Sequence, residues 1–345
     1  MTESDAWEIE DFALDDLTED DFAGFTESAN RFSVEVMPRA TPFTPELLRI
    51  YLGSPDTIRR VHLIRGPKGN ILGYSTTSRD AGETNVHILR AVTSVAPPYR
   101  RQGMGTHLIR HVAGIAVDMR RGYLQGEAWD TVAAGIAFAE SLGASLEIQN
   151  HMNWIEVPAV DHELMLHWID DGPGRAPEYE VVVVEEVFPD EYLDGFANLM
   201  TIIEQYAPMP EQREARQWDA ASIREFYDHM LQGVEVVTAT AIHRETGHMA
   251  GMSQLIRPRE APKTIITTFT VVDPDHRGYA LGKWLKAAVI LRGLDRWPDA
   301  SEIETMNAFT NDAMLGINHE MGFQHDYTVN TYQARAEDVL DRLTP

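Results

Sequence analysis

The sequence has no cysteine among its 345 residues. Disulfide bonds, thiolate metal sites and a covalent acyl-cysteine intermediate are therefore excluded. No stretch approaches the roughly 18 consecutive apolar residues of a membrane-spanning helix. The acidic start, MTESDAWEIEDFALDD, lacks the basic and apolar regions of a signal peptide. We therefore expect a cytoplasmic protein.

Basic residues are scarce, with 29 lysines and arginines against 54 acidic residues and a net charge of −25. Such a charge repels the phosphates of nucleic acid and the anionic face of a membrane, so we expect neither as a partner. It weakly favours cationic substrates, although general acidity that keeps proteins soluble is the preferred explanation. The length suits two soluble globular domains.

The chain repeats itself. TSVAPPYRRQGMG (93–105) and TVVDPDHRGYALG (270–282) share five identities at an offset of 177 positions. Upstream, Gly73 and Gly251 match at an offset of 178, and downstream Glu127 and Glu304 keep the offset of 177. Two copies of one domain are the simplest explanation.

A Pro/Gly-rich stretch, DDGPGRAP (170–177), predicts a break between the copies. We expect an N-terminal domain at 1–158, a linker at 159–178 and a C-terminal domain at 179–345. Each half has a first strand, helices, a run of strands, a loop-helix unit, another strand and helix, and a closing strand. This order predicts an α/β (α+β) fold with two tandem domains, each a mixed, mostly antiparallel twisted sheet flanked by helices.

The repeated loop is suited to binding an anion. In YRRQGMG (99–105), two arginines and two glycines precede a helical pattern. A helix start presents unpaired N–H groups and partial positive charge, and glycine lets a phosphate approach the backbone. An ordinary strand-to-helix turn with surface arginines remains the alternative.

The element order and the Val-x-Pro-x-x-Arg-x-x-Gly-x-Gly run resemble the GNAT superfamily of N-acetyltransferases. The resemblance covers both halves, so the chain is similar to tandem GNAT proteins, an architecture also found in mycothiol synthase. In that family the loop holds the pyrophosphate of acetyl-CoA. The resemblance therefore implies acetyl-CoA contacts from Val95, Arg100, Arg101, Gln102, Gly103, Met104, Gly105 and Thr106, and from Val272, Arg277, Gly278, Tyr279, Ala280, Leu281, Gly282 and Lys283.

A second signature lies only in the C-terminal half. NAFTNDAMLGINHEMGF (307–323) is similar to the family's later helix, in which an asparagine contacts the pantetheine arm. The resemblance assigns this role to Asn307 and Asn311, with Asn311 preferred. The N-terminal half has alanine and valine at these places. Both halves also depart from the family at the tyrosine that often protonates the leaving thiolate, where Ala139 and Asn318 stand.

Acyl transfer to an amine needs a base, because the protonated amine has no lone pair with which to attack a thioester. We expect Glu304 to be the catalytic base, with Glu127 as its repeat and His87 as an alternative in the first half. A solvated glutamate at a strand end is the competing interpretation. The family separates two strands near Val95 and Val272, and a backbone amide there would stabilise the oxyanion.

The resemblance thus implies an acetyl-CoA-dependent N-acetyltransferase in which the primary amine of a small molecule attacks the thioester directly. We expect the C-terminal domain to be catalytic and the protein to be a monomer or homodimer. A non-catalytic CoA-binding or regulatory protein is the alternative, and a longer acyl-CoA donor is a third hypothesis.

Two further motifs lack the context that they require. His107 and His111 have a zinc-like spacing but no neighbouring glutamate or third ligand, so we interpret them as surface polar residues and expect no metal. GMGTHL resembles the beginning of a nicotinamide-binding loop, but Leu108 replaces the third glycine.

Overall fold

The computed structural model describes residues 7–186 and 188–344. Its strands are β1 (Glu10–Ala13), β2 (Thr57–Arg65), β3 (Ile71–Asp80), β4 (Ile88–Val95), β5 (Tyr123–Trp129), β6 (Ser145–Glu156), β7 (Tyr179–Glu185), β8 (Val234–His243), β9 (Met249–Pro258), β10 (Thr264–Val272), β11 (Glu302–Ala308) and β12 (Gln324–Arg335). Its α-helices are α1 (Glu19–Val36), α2 (Pro45–Leu52), α3 (Met104–Asp118), α4 (Ala133–Ser141), α5 (His162–Arg175), α6 (Leu193–Tyr206), α7 (Ala220–Met230), α8 (Leu281–Arg296), α9 (Asp312–Glu320) and α10 (Ala336–Leu343).

Local sequence explains where several helices begin. Thr18 caps α1 by accepting a hydrogen bond from the Asp21 amide, and three acidic residues fill the first turn. Thr44 caps α2 in the same way, with Pro45 at the first helical position. Within the described ranges, none of the helices combines the length and apolar character that a membrane span requires.

The chain folds into two compact units. Unit 1 comprises the described residues of Met1–Gln149, Met209–Glu214 and Tyr327–Pro345. Its strands are ordered β1-β2-β3-β4-β5-β12, and every pairing is antiparallel except that between β4 and β5. Helix α3 packs on this sheet and on α10, while Phe22 and Phe25 of α1 are buried in a separate cluster.

Unit 2 comprises the described residues of Asn150–Pro208 and Ala215–Asp326. Its strands are ordered β6-β11-β10-β9-β8-β7, with the parallel pair between β10 and β11. Helix α8 lies in one hydrophobic cluster, and α6 and α7 in a second. The mixed, mostly antiparallel α/β fold expected from the sequence is confirmed in both units.

The units differ from the expected consecutive domains, 1–158 and 179–345, because the closing strands are exchanged. Strand β12 pairs with β5 in unit 1, and β6 pairs with β11 in unit 2. Both closing strands follow equivalent helices and have similar patterns, so the sequence does not reveal which edge each one joins.

The expected linker, 159–178, is mostly helical. Asp161 caps α5, which continues through the Pro/Gly-rich stretch predicted to be a break. A Cβ added at Gly172 would lie 2.3 Å from the Trp284 ring of α8. This glycine therefore allows α5 to approach α8 closely. From the sequence alone, a glycine needed for close helix packing cannot be distinguished from a glycine in a turn.

Candidate functional site

The loop between β4 and α3 presents a row of unused backbone donors in unit 1. Within the described chain, no hydrogen bond is donated by the amides from Arg101 to Thr106; the first bonded amide is that of His107, which reaches the Gly103 carbonyl. Gly103 has φ of +87° and permits the left-handed turn that opens the helix. This arrangement fits a pyrophosphate.

Arg100 stabilises the loop from within. Its Nε donates to the Val95 carbonyl at 2.8 Å, and its other nitrogens contact both carboxylate oxygens of Glu35 at 2.6 and 2.5 Å. A bidentate pair of this kind holds the guanidinium in one orientation. The predicted phosphate ligand Arg100 is thus an anchor of the loop, whereas Arg101 beside it is exposed at φ of +63°.

The other predicted residues of this loop frame it. Gln102 donates to the Pro98 carbonyl at 3.2 Å, and Met104 is buried with Val95 under the helix start. A Cβ on Gly105 would lie 3.8 Å from Val95 and 3.9 Å from Phe138, so the glycine lies between β4 and α4. Thr106 follows in the first turn of α3.

The loop of unit 2 repeats the arrangement with fewer anchors. No hydrogen bond is donated in the described chain by the amides from Gly278 to Gly282, while Lys283 donates to the Ala280 carbonyl. Arg277 Nε reaches the Val272 carbonyl at 3.2 Å, and the guanidinium lies 5.8 Å from the Tyr206 ring centroid. In the described parts of the chain this arginine has no carboxylate partner.

Four predicted residues of this loop have structural roles. Ala280 occupies the left-handed position before α8, with φ of +59°. The ammonium of Lys283 pairs with Glu320 at 2.5 Å, and the ring of Tyr279 packs 5.6 Å from that of Tyr179. Leu281 is buried beneath the helix start.

Both units separate the two parallel strands beside the loop. In unit 1 the pairing of β4 with β5 ends at Ala91 opposite Gly126, and β4 runs on to Val95. In unit 2 the pairing of β10 with β11 ends at Thr267 opposite Thr305, and β10 runs on to Val272. The exposed β4 and β10 edges provide the backbone groups expected for oxyanion stabilisation.

In unit 1 the separated strands open into a cleft, which encloses about 700 Å³ together with the solvent at its mouth. Strands β4, β5 and β12 and helices α3, α4 and α10 provide its walls, which include Ala91, Thr93, Ile109, Gln125, Glu127, Phe138, Ala139, Tyr332 and Val339. We call this the unit 1 cleft.

Glu127 lies in the unit 1 cleft, one residue beyond the last parallel pair. Although solvent reaches the side chain, the surrounding walls raise the pKa of its carboxyl by desolvation. Tyr51 of α2 is 65% exposed, but desolvation around its hydroxyl and then the charge of the nearby Glu127 raise the pKa of its phenol. The carboxylate is therefore positioned and tuned to accept a proton.

The predicted equivalence of Glu127 and Glu304 is wrong. Tyr123 opposite Ile88 corresponds to Glu302 opposite Thr264, so the offset in this strand is 179. Helix α8 is one residue longer than α3, and the connection that follows it is also one residue longer. Glu304 therefore corresponds to Gln125, and Glu127 corresponds to Met306.

Glu304 itself lies within the sheet of unit 2. It is half-buried, opposite Ile266 on β10 and Trp154 on β6, and it precedes the last parallel pair. Its neighbours Ile303 and Thr305 are buried on the other face. The predicted base is thus inside the ladder rather than beyond its end.

The two predicted asparagines make local contacts in unit 2. Asn311 Oδ1 accepts from the Met314 amide at 3.3 Å and caps α9. Asn307 Oδ1 accepts from Asn318 Nδ2 at 2.5 Å. Their counterparts at an offset of 179, Ala128 and Val132, occupy matching places in β5 and before α4.

Sequence reasoning missed Lys286. This α8 residue is fully buried, and its ammonium donates to Asn318 Oδ1. Burial lowers its pKa to about 7. Lys286 follows Ala280 by six positions, as Ile109 of the unit 1 cleft follows Gly103. The sequence does contain one indication of this burial. Lys286 precedes Val289 by three residues and Ile290 by four, which places it on the buried face of the helix.

The first-half alternative, His87, lies outside the unit 1 cleft. Its Nε2 is 2.5 Å from the Gln212 carbonyl, a contact that ties the 209–214 segment to unit 1. This engagement supports its interpretation as a structural histidine.

Comparison with known proteins agrees with this geometry. Residues 30–144 match the Acetyltransferase (GNAT) family. The fold is similar to that of a tandem GNAT protein from the clavulanic acid biosynthesis pathway, with a TM-score of 0.77, 24% identity, and coverage of 96% of this chain and 98% of that one. Residues 30–144 thus match a GNAT domain, and the whole chain has a fold similar to that of a tandem GNAT protein. The family match supports acyl transfer in general as the class of reaction.

Other solved structures have a similar fold. A GCN5-related N-acetyltransferase from Sphaerobacter thermophilus has a TM-score of 0.64 and 16% identity, over 95% of this chain and 96% of that one. A glucosamine N-acetyltransferase region of a fungal multi-domain β-N-acetylglucosaminidase has a TM-score of 0.65 and 12% identity, over 95% of this chain and 38% of that one. A search of the curated proteins finds no match.

Proposed function

We propose that this protein is a tandem GNAT enzyme that transfers an acetyl group from acetyl-CoA to the primary amine of a small molecule, and that unit 1 performs this reaction. The observation that carries the proposal is the unit 1 cleft, which opens beside six undonated loop amides. This assignment departs from the catalytic C-terminal domain expected from the sequence. In unit 2, Lys286 occupies the helix position that faces the cleft in unit 1.

Different parts of unit 1 bind acetyl-CoA and stabilise the oxyanion. The amides from Arg101 to Thr106 bind the pyrophosphate, and the Arg100–Glu35 pair holds them in place. Acetyl-CoA, when bound, supplies an activated acetyl thioester. Backbone N–H groups along the free β4 edge stabilise the oxyanion.

Glu127 takes the proton from the acceptor. Its carboxylate removes a proton from the substrate ammonium, so that the nitrogen lone pair forms the N–C bond. As the C–S bond breaks, its electron pair leaves with the sulfur of CoA, and the thiolate takes up the second proton that the nitrogen releases. Because the surrounding walls partly desolvate its carboxyl and raise its pKa, Glu127 is a stronger base than a glutamate surrounded by water. Activity should therefore fall on the acid side as the carboxyl becomes protonated.

A purified-enzyme assay of thiol release from acetyl-CoA, with a panel of primary amines, tests the proposal. We expect Glu127→Gln to lower kcat about 10²- to 10⁴-fold, the usual contribution of a general base. Binding of acetyl-CoA should persist, because the amide neither fills the cleft nor alters the loop. Glu304→Gln is the matched control and should leave turnover nearly unchanged.

The opposite pattern, loss with Glu304→Gln and none with Glu127→Gln, would assign catalysis to unit 2. The second candidate is a CoA-binding protein without turnover, favoured by Ala139 and Asn318 where the family often has a tyrosine acid. Binding of acetyl-CoA without amine-dependent thiol release would support this candidate.

A further inference from the structure

Unit 1 brings together two histidines and a carboxylate on the α3 side of its sheet. Asp11 of β1, His62 of β2 and His111 of α3 offer ligand atoms that all lie within 4.8 Å of one another. We propose that these three residues form a binding site for a divalent transition metal of the zinc class, with water completing the coordination.

His62 is oriented as a metal ligand. The side chain is fully buried, and its Nε2 lies 3.0 Å from the Thr77 hydroxyl, as is usual for the outer nitrogen of a ligating histidine. The other nitrogen, Nδ1, makes no hydrogen bond and lies 3.3 Å from Asp11 Oδ1. Two ligands on a tetrahedral zinc with bonds of about 2.0–2.1 Å are separated by roughly 3.3 Å.

His111 provides an independent observation. Its ring centroid lies 5.1 Å from that of His62, at an interplanar angle of 72°, and its Nε2 is buried without a hydrogen-bond partner. Buried polar atoms are nearly always satisfied. Two unsatisfied imidazole nitrogens beside one carboxylate therefore need an explanation, and a cation that accepts both lone pairs provides it.

The charges around the site permit a cation. Arg60 Nε lies 2.8 Å from Asp11 Oδ1, but Oδ2 of that carboxylate has no hydrogen-bond partner in the described chain. Imidazole nitrogens and carboxylate oxygens are donor types that bind zinc in proteins.

The triad is not a general feature of the repeated domain. Ser75 opposite His62 corresponds to Ser253 opposite Ala239, and Ala239 in turn pairs with Val183. Counting from the residue before each helix, His111 corresponds to Ala288. Unit 2 therefore has Val183, Ala239 and Ala288 where unit 1 has three potential ligands.

Unit 2 has a different cluster, formed by His248, Asp273 and His276. Its polar atoms satisfy one another and their neighbours: His248 Nε2 lies 3.0 Å from Asp273, and His276 Nδ1 lies 2.7 Å from the Tyr179 hydroxyl. These contacts satisfy the cluster without a metal, so it serves as an internal control.

The experiment uses full-length protein without a histidine tag, stripped with a chelator and titrated with ZnCl2 or CoCl2 alone. We expect one metal per chain, a visible cobalt spectrum of tetrahedral type and a rise in Tm by mass action. His62→Gln and His111→Gln should each weaken zinc binding more than about tenfold, the lower end of the cost of losing even an outer-shell partner. His248→Gln and His107→Gln should leave it unchanged.

His111 is only half-buried, and its replacement leaves the buried strand β2 intact. Loss of zinc binding by His111→Gln would therefore not be explained by misfolding. Circular dichroism and the metal-free Tm establish that each variant is folded. Absence of stoichiometric binding to the native protein would overturn the proposal. Loss with His248→Gln and retention with both His62→Gln and His111→Gln would also overturn it.

Discussion

The two units use the same backbone arrangement around different interiors. Both have separated parallel strands and, before a helix, a loop whose backbone amides donate no hydrogen bond within the described chain. Six residues into that helix, unit 1 has Ile109 at an open cleft and unit 2 has the buried Lys286. The loop by itself therefore does not distinguish the units, and we predict that this one position on the adjacent helix decides which unit has room for a long ligand.

The residue at the equivalent place in the next helix also differs between the units, and it too is apolar in unit 1 and polar in unit 2. Ala139 is small and lines the unit 1 cleft, whereas Asn318 at the equivalent place in α9 accepts a hydrogen bond from Lys286. Asn318 also donates to Asn307, which was expected to contact pantetheine. Three polar residues of unit 2 thus satisfy one another where unit 1 remains open.

Of the changes that test this comparison, exchanging Ile109 and Lys286 should have the largest effect on the affinity for acetyl-CoA. Ile109→Lys places an ammonium in the cleft, and we expect acetyl-CoA binding to unit 1 to weaken about 100-fold or more, equivalent to about 3 kcal/mol. Lys286→Ile should create a second, weaker site. Isothermal titration calorimetry measures both.

Gly114→Lys is the control for charge, because it adds the same ammonium to α3 where nothing lies within 4 Å of a new Cβ. Its affinity for acetyl-CoA should match that of the native protein. Undiminished binding by Ile109→Lys would show that acetyl-CoA does not occupy the unit 1 cleft.

The buried lysine should also make stability depend on pH. Its pKa is lowered from 10.5 to about 7 in the folded state, so between these values the unfolded chain binds more protons. The free energy of unfolding should therefore rise with pH across this window, by at most about 1.4 kcal/mol per pH unit. Below pH 7 both states are protonated and the contribution is constant.

Lys286→Met removes this titration, and urea unfolding at a series of pH values compares it with the native protein. The difference in unfolding free energy between the two should change above pH 7. A difference independent of pH from 7 to 10 would contradict the lowered pKa.

The smallest expected effect compares the residues before α3 and α8. Gly103 and Ala280 both have positive φ, which costs a residue with a Cβ about 1–2 kcal/mol. After allowing for the greater unfolded-state freedom of glycine, Ala280→Gly should stabilise the protein by about 0.5–1 kcal/mol.

Gly103→Ala should destabilise by a similar amount, since an added Cβ meets nothing within 4 Å. Urea unfolding midpoints measure both changes. Effects of equal sign would exclude backbone strain as their cause.

Local chemistry made the loops and the fold class predictable from the sequence. Glycines, prolines and arginines at fixed spacing specify a turn and a helix start over a few residues, and the structure places Gly103 and Ala280 at that turn. The repeat likewise predicted two similar sheets. Each of these features depends on neighbours in sequence.

Features that depend on tertiary packing were not predictable. A lysine in a helix usually lies on the surface, and only its hydrogen bond to Asn318 reveals why Lys286 is buried. His111 was expected on the surface because its partners, Asp11 and His62, lie on distant strands. The offset of Glu304 was misjudged because the extra residues lie in a helix and turn where no motif fixes the count.

The exchange of closing strands has a consequence for synthesis on the ribosome. Until the codons for 324–335 have been translated, β5 has an open edge on the side where β12 will bind, which is a template for pairing with other chains. The first half therefore stays incomplete until residues 324–335 have been synthesised. A gene divided between the halves would yield two fragments that each lack a strand, rather than two independent enzymes.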